Sequence, residues 1–162
     1  MAHNNNFLLI MRHAKSEKAA IGTKDFDRPL NHHGHQQLAH IAKHINHLKL
    51  KIDYALVSPA LRTQQTFEQL SSHMHHAPAS IFDQRLYNAE PETLLEVLGE
   101  MNYDKNILLI GHNPSVSELF FFLSGQNYQF GTANAAILKA KKSSFMESLS
   151  PNGFEKVEIL TP

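Results

Sequence analysis

Phe7-Leu8-Leu9-Ile10-Met11-Arg12-His13 decides the fold. An unbroken apolar run of this length suits a strand covered on both faces, as at the centre of a parallel sheet. The run stops at an arginine and a histidine. In open α/β sheets, ligands bind outside the carboxyl ends of the strands. A permanently charged planar guanidinium beside an imidazole with a free lone pair suits a phosphoryl group.

Outward from this strand, helix-like and strand-like segments alternate, which predicts a sheet with helices on both faces. Lys15 to Arg28 is polar and leads into the loop Asp27-Arg28-Pro29-Leu30. Asn31 is placed to cap a helix to about Leu48, with Leu38, Ile41, Ala42, Ile45 and Leu48 on one stripe. Tyr54-Ala55-Leu56-Val57 reads as a short buried strand, ended by Ser58-Pro59, with a helix from there to about Ser72. A weaker strand covers Ser80 to Phe82, and Pro91 opens a helix carrying Leu94, Leu95 and Leu98. Asn106 to Ile110 is a second central strand, broken by Gly111-His112-Asn113-Pro114. Ser115 to Leu123 is helical, and its Phe120, Phe121 and Phe122 are expected in the core. Ala135 to Ala140 and Lys156 to Leu160 read as closing strands, joined in a hairpin around Ser150-Pro151-Asn152-Gly153.

The 162 residues fit a single domain, 1–162. Fifteen basic and fifteen acidic side chains cancel, so no overall field draws the chain to nucleic acid or to a membrane. Cysteine is absent, which excludes disulfides, thiolate nucleophiles and zinc–thiolate sites and fits a reducing compartment. Met1 to Asn6 has no basic leader pattern, and no segment approaches the length of a membrane span. A soluble cytoplasmic protein is expected. Twelve histidines are unusual. His32, His33 and His35 cluster, as do His40, His44 and His47, and again His73, His75 and His76. His40 and His44 lie one helical turn apart and could share a metal ion. No carboxylate stands at a recurrent ligand spacing beside them, so the plain reading is solvated surface, with no metal and no cofactor.

Three strand ends carry polar groups of the same kind. The first has Arg12 and His13; the second has Ser58 and, a turn into its helix, Arg62; the fourth has Gly111 and His112. In a parallel sheet these ends share one rim, so two arginines and two histidines can converge there. Glycine at 111 would let the backbone come close to a ligand. Two guanidiniums can hold phosphate oxygens and complement the charge of a trigonal-bipyramidal transition state. One histidine can attack phosphorus, and the other can donate to the same oxygens.

On these residues the chain resembles a known family. Ile10-Met11-Arg12-His13-Ala14-Lys15-Ser16 is similar to the signature of the histidine phosphatase superfamily, which includes phosphoglycerate mutases and acid phosphatases. Asp27-Arg28-Pro29-Leu30, Val57 through Thr66, Leu86-Tyr87-Asn88-Ala89 and Leu109 through Pro114 resemble its small SixA-type phosphohistidine phosphatase branch. The resemblance runs in order from about Phe7 to Ile137. It implies a phosphoglycerate mutase-like, three-layer α/β/α sandwich, its sheet mostly parallel with an antiparallel edge strand. It further implies His13 as the phosphorylated nucleophile, Arg12 and Arg62 as phosphate clamps and His112 as the second pocket histidine. Thr132 to Ala136 stands where relatives return a loop to the pocket. Arg28 and Ser16 are placed to meet the substrate's outer face, although Arg28 also suits a purely loop-pinning role; Lys15 lies near the mouth.

Larger relatives protonate an alkoxide leaving group with a carboxylic acid, and Glu90 and Glu92 are the candidates here. Glu92 has a structural explanation as well, in the first turn of a helix. An imidazole leaves readily once its other nitrogen is protonated. A short chain without an assured acid therefore suits phosphohistidine carried by a partner protein, for example a phosphorelay or phosphotransfer protein. The alternatives are a small-molecule phosphomonoesterase of the same superfamily and a non-catalytic phosphate-binding module.

Overall fold

The computed structural model describes residues 6–101 and 104–162; the leader reading of Met1 to Asn5 lies outside them. A six-stranded sheet runs in the order β3-β2-β4-β1-β5-β6. The strands are β1 (Phe7–Arg12), β2 (Tyr54–Val57), β3 (Ala79–Phe82), β4 (Ile107–Gly111), β5 (Ala135–Ala140) and β6 (Phe154–Leu160). The first four are mutually parallel, and β5 pairs antiparallel with both β1 and β6. The antiparallel part expected at the edge is this β5–β6 pair.

Alternation along the central strands divides the core into two layers. Leu8, Ile10, Ile107 and Leu109 face one cluster, with Leu94, Leu98, Leu119 and Phe120 from helices α3 (Pro91–Glu100) and α4 (Ser115–Ser124). Leu9, Met11, Leu108 and Ile110 face the other, with Leu38, Ile41, Phe67 and Leu70 from α1 (His32–His47) and α2 (Leu61–Ser72). Successive strand side chains point to opposite faces, so a run apolar at every position buries both.

The capping reading holds at α1, where the Asn31 side chain accepts from the Gly34 amide at 2.9 Å. Gly34 must be glycine for a packing reason, since a Cβ there would fall on the Lys15 carbonyl oxygen. Leu48 does not join the stripe; as the α1 C-cap it is 36% exposed.

Two further expectations are corrected. β5 and β6 do pair as an antiparallel hairpin, but their connection is longer than Ser150–Gly153, because residues 141–153 detour through a helical turn, α5 (Phe145–Ser148). The detour buries Phe145 against Phe154, ring centroids 5.7 Å apart. Of the phenylalanine triplet, Phe120 is fully buried and Phe122 packs on the core edge, but Phe121 points outward at 55% exposure. One helix cannot turn three consecutive residues to the same side. At Gly111 a Cβ would meet Val116 Cγ1 at 3.1 Å, so close packing on α4 is a structural reason for glycine there.

Candidate active site

Sheet register brings the site together. Arg12 pairs with Gly111, Met11 with Ile110, and Val57 with Ile110, so β1, β2 and β4 end at one level. Arg12–His13, Ser58 and His112 therefore leave the sheet side by side, and Arg62 follows within the first turn of α2. The four predicted residues converge: the His13 and His112 rings stand 5.4 Å apart, tilted by 56°.

Short-range bonds fix each group. The His13 amide donates to the Gly111 carbonyl at 3.1 Å, and the Ala133 amide donates back to the His13 carbonyl at 2.9 Å. His13 Nδ1 lies 2.7 Å from the Ala14 carbonyl. A carbonyl only accepts, so Nδ1 carries the proton and Nε2 keeps its lone pair. Burial pushes the His13 ring down to about 4, with the charges of Arg62 and Arg12 acting in the same direction against the Ala14 hydrogen bond. Burial, then Arg62 and His13, pushes His112 down to about 3. Both rings are neutral at neutral pH.

Arg12 Nη1 donates to the Phe130 carbonyl at 3.1 Å, and the Arg12 amide donates to the Asn134 carbonyl at 3.1 Å. The loop expected to return to the pocket does so through these contacts and through Gln37 Nε2, which donates to Thr132 Oγ1 at 3.1 Å. His112 Nε2 lies 2.8 Å from the Ser58 hydroxyl. Thr66 Oγ1 donates to the Arg62 carbonyl at 2.6 Å and accepts from the Ala14 amide at 3.0 Å, tying α2 to the segment after β1.

Among the described residues, the buried side-chain nitrogens and oxygens without a partner are Arg12 Nε, Arg62 Nε and His112 Nδ1. All belong to this cluster. A buried polar nitrogen without a partner is costly, and three from different segments in one place make a set able to bind an anion once His112 Nδ1 carries the proton.

The mouth is built by residues that sequence reasoning passed over. Asp25, in a 3-10 turn (Asp25–Asp27), accepts from Arg62 Nη2 at 3.1 Å and from Tyr87 Oη at 2.7 Å through Oδ2. Its Oδ1 accepts from Arg28 Nε at 3.0 Å. The Tyr87 hydroxyl first, and then the arginines, hold the Asp25 carboxyl down to about 2. The Tyr87 ring meets His112 edge-on, centroids 5.8 Å apart, and Phe26 meets Tyr87 at 5.0 Å. Arg28 Nη1 donates to Ser16 Oγ at 3.2 Å and to the Glu17 carbonyl at 2.8 Å, so the two predicted rim residues stand together and Arg28 pins its own loop. Glu90 is the N-cap of α3 and Glu92 lies in its first turn, both exposed. Among the described residues the carboxylate bonded to Arg62 and Arg28 is Asp25. Acidic residues at 25 and 27 look alike in the sequence; only the turn selects one of them.

The histidine groups of α1 and of His73–His76 are mostly exposed, away from the site. Among the described residues no three histidine or carboxylate side chains are arranged to hold a metal ion. No helix among them is long and apolar enough to cross a membrane.

Comparison with known proteins agrees with the geometry. The profile of the histidine phosphatase superfamily (branch 1) matches residues 8–88, a stretch containing Arg12, His13, Arg28 and Arg62. An uncharacterized chloroplastic protein of Arabidopsis thaliana is 26% identical over 96% of this chain and 77% of its own length. An uncharacterized protein of Mycobacterium tuberculosis is 32% identical over 70% of each chain. A candidate phosphohistidine phosphatase SixA from Agrobacterium tumefaciens superposes with a TM-score of 0.84 at 25% identity, covering 98% of this chain and 99% of its own. A protein histidine phosphatase SixA solved with tungstate shares the fold at a TM-score of 0.82 and 22% identity, over 96% of both chains. Matched through its first half by the family profile and from end to end in its fold, the chain belongs to the histidine phosphatase superfamily.

Proposed function

We propose that this protein is a phosphatase that removes the phosphoryl group from phosphohistidine on a partner protein, through a phosphorylated His13. The observation that carries the reading is the set of three unpaired buried donors, Arg12 Nε, Arg62 Nε and His112 Nδ1, around a neutral imidazole. That is a cup for a tetrahedral anion with a nucleophile at its floor.

The chemistry follows from the hydrogen bonds. His13 Nε2 attacks phosphorus while the bond from phosphorus to the substrate imidazole breaks. That leaving ring holds a proton on its other nitrogen and departs neutral. The Ala14 carbonyl, bonded to Nδ1–H, stabilises the imidazolium that forms on His13. Water then attacks phosphorus, the bond to Nε2 breaks, and dihydrogen phosphate leaves with a neutral His13. Ser58 donating to Nε2 of His112 sets Nδ1–H as a further donor to the phosphoryl oxygens. Arg12 and Arg62 complement the equatorial charge, so the reading calls for no metal and no cofactor. Arg28 and Ser16 add charge and a hydroxyl at the outer face.

The leaving group favours phosphohistidine. Asp25, held as an anion, has no proton to give an alkoxide at neutral pH. Hydrolysis of a phosphohistidine peptide, a phosphoserine peptide and a small sugar phosphate, measured side by side, tests this. The peptide with the P–N bond is expected to turn over fastest, with a phosphorylated enzyme trapped by alkaline denaturation. Faster turnover of the sugar phosphate would replace the reading with a small-molecule phosphomonoesterase. Tungstate binding with no turnover of any substrate would leave a phosphate sensor. We place the activity in the cytoplasm.

A further inference from the structure

Asp25 touches the site without belonging to its floor. Its main-chain carbonyl accepts from Arg62 Nη1 at 2.8 Å while its Oδ2 accepts from Arg62 Nη2 at 3.1 Å. Both terminal nitrogens of one guanidinium are thus held by one residue. The Arg62 side chain is 7% exposed and that of Asp25 51%, so the carboxylate lies on the solvent side and the Nε edge is turned inward. That Nε is one of the unpaired buried donors.

The same carboxylate gathers two further side chains. Arg28 reaches Oδ1 through Nε and Nη2, each at 3.0 Å, and Tyr87 reaches Oδ2. Tyr87 in turn packs its ring against His112. Asp25 therefore connects a phosphate clamp, Arg62, the rim arginine on its own turn and, through Tyr87, the second histidine; counting Tyr87, these come from four separate stretches of chain.

We propose that Asp25 is a positioning residue: it locks Arg62 with its Nε edge facing the phosphate cup and assembles the mouth around that lock. An arginine side chain left free samples many rotamers, and ordering it then counts against binding. One held in place before the anion arrives binds without that cost. The inference rests on the reading of Arg62 as a phosphate clamp. Its ion pair is half exposed, and an ordinary exposed pair would contribute little. What sets this pair apart is that the buried end of its arginine is unsatisfied.

The test uses tungstate titration by calorimetry, together with hydrolysis of p-nitrophenyl phosphate, whose leaving group departs without a proton. Asp25→Ala is expected to weaken tungstate binding about tenfold and to lower kcat/KM about 30-fold. Asp25→Asn, which keeps an acceptor oxygen, recovers part of both. In an Arg62→Ala background the Asp25→Ala change adds less than about twofold, because the residue acts through Arg62. A general loss of structure would instead add in full. Tyr87→Phe leaves the Arg62 bonds in place and is expected to cost about threefold. Tungstate bound equally by wild type and Asp25→Ala, or an undiminished effect in the Arg62→Ala background, overturns the proposal and leaves the phosphatase reading standing. Wild-type protein that binds no tungstate overturns the phosphate-site reading itself.

Discussion

The floor of the phosphate cup and its mouth both rely on arginine, yet they hold it differently. At the floor, Arg12 issues directly from β1, and its guanidinium is tied to the main chain at Phe130. Its neighbour His13 is clasped by main-chain groups of Gly111, Ala133 and Ala14. At the mouth, Arg28 is held by the Asp25 and Ser16 side chains and by the Glu17 carbonyl, on an exposed loop. Arg62 joins the two, buried like the floor and bonded to the mouth through Asp25. Main-chain bonds in sheet register are fixed by the fold itself, whereas side-chain pairs at an exposed rim are screened by salt. The floor is suited to chemistry that needs fixed distances. On the proposed function, the more open mouth admits a substrate carried on another protein.

His13→Ala tests the floor at its strongest point. Turnover is expected to fall by at least about 10⁴-fold, while tungstate binding stays within about tenfold because both clamps remain. Tungstate binding lost together with turnover would mean that the cup collapses without this ring. Arg62→Ala comes next, lowering kcat/KM by about 10²- to 10³-fold and weakening tungstate to a lesser degree. Arg28→Ala, at the mouth, is expected to cost about tenfold or less. If Arg28→Ala matched Arg62→Ala, the distinction between floor and mouth would fail.

The floor also leaves a signature in pH. His13 falls from an ordinary 6.5 to about 4 on folding, and His112 to about 3. Above pH 6.5 neither ring is charged in either state, so there is no effect. As the pH drops from 6.5 towards 4, the unfolded chain takes up protons that the folded chain refuses, and stability declines by up to about 3 kcal/mol per ring. Thermal unfolding across this range is expected to show a steeper acid decline for wild type than for His13→Gln. The smallest effect concerns the wall behind the site. Gly34→Ala presses a methyl group onto the Lys15 carbonyl and is expected to cost about 1–3 kcal/mol, read as a lower Tm.

Much of the floor could be read from the chain. A strand apolar at every position must sit centrally, and polar residues following three such strands must share a rim, so Arg12, His13, Arg62 and His112 could be placed before any coordinates. The Asn31 cap and the starts of α3 and α4 were legible for the same reason, since each depends on residues adjacent in sequence. Legibility stopped where contacts are distant. Phe121 looked like its neighbours until the helix turned it to solvent. The β5–β6 connection looked like a tight turn at Ser150–Gly153 until Phe145 found Phe154.

By itself, then, the sequence determined the layered α/β architecture and the identity of the four side chains that meet at the strand ends, because strand burial and strand-end chemistry are written in local order. The tertiary structure alone decided that Asp25 rather than Asp27 meets Arg62, and that Tyr87 reaches across to both Asp25 and His112. It also decided which nitrogens are left without partners. Those outcomes depend on side chains brought within about 3 Å from positions tens of residues apart, a distance that no spacing along the chain encodes.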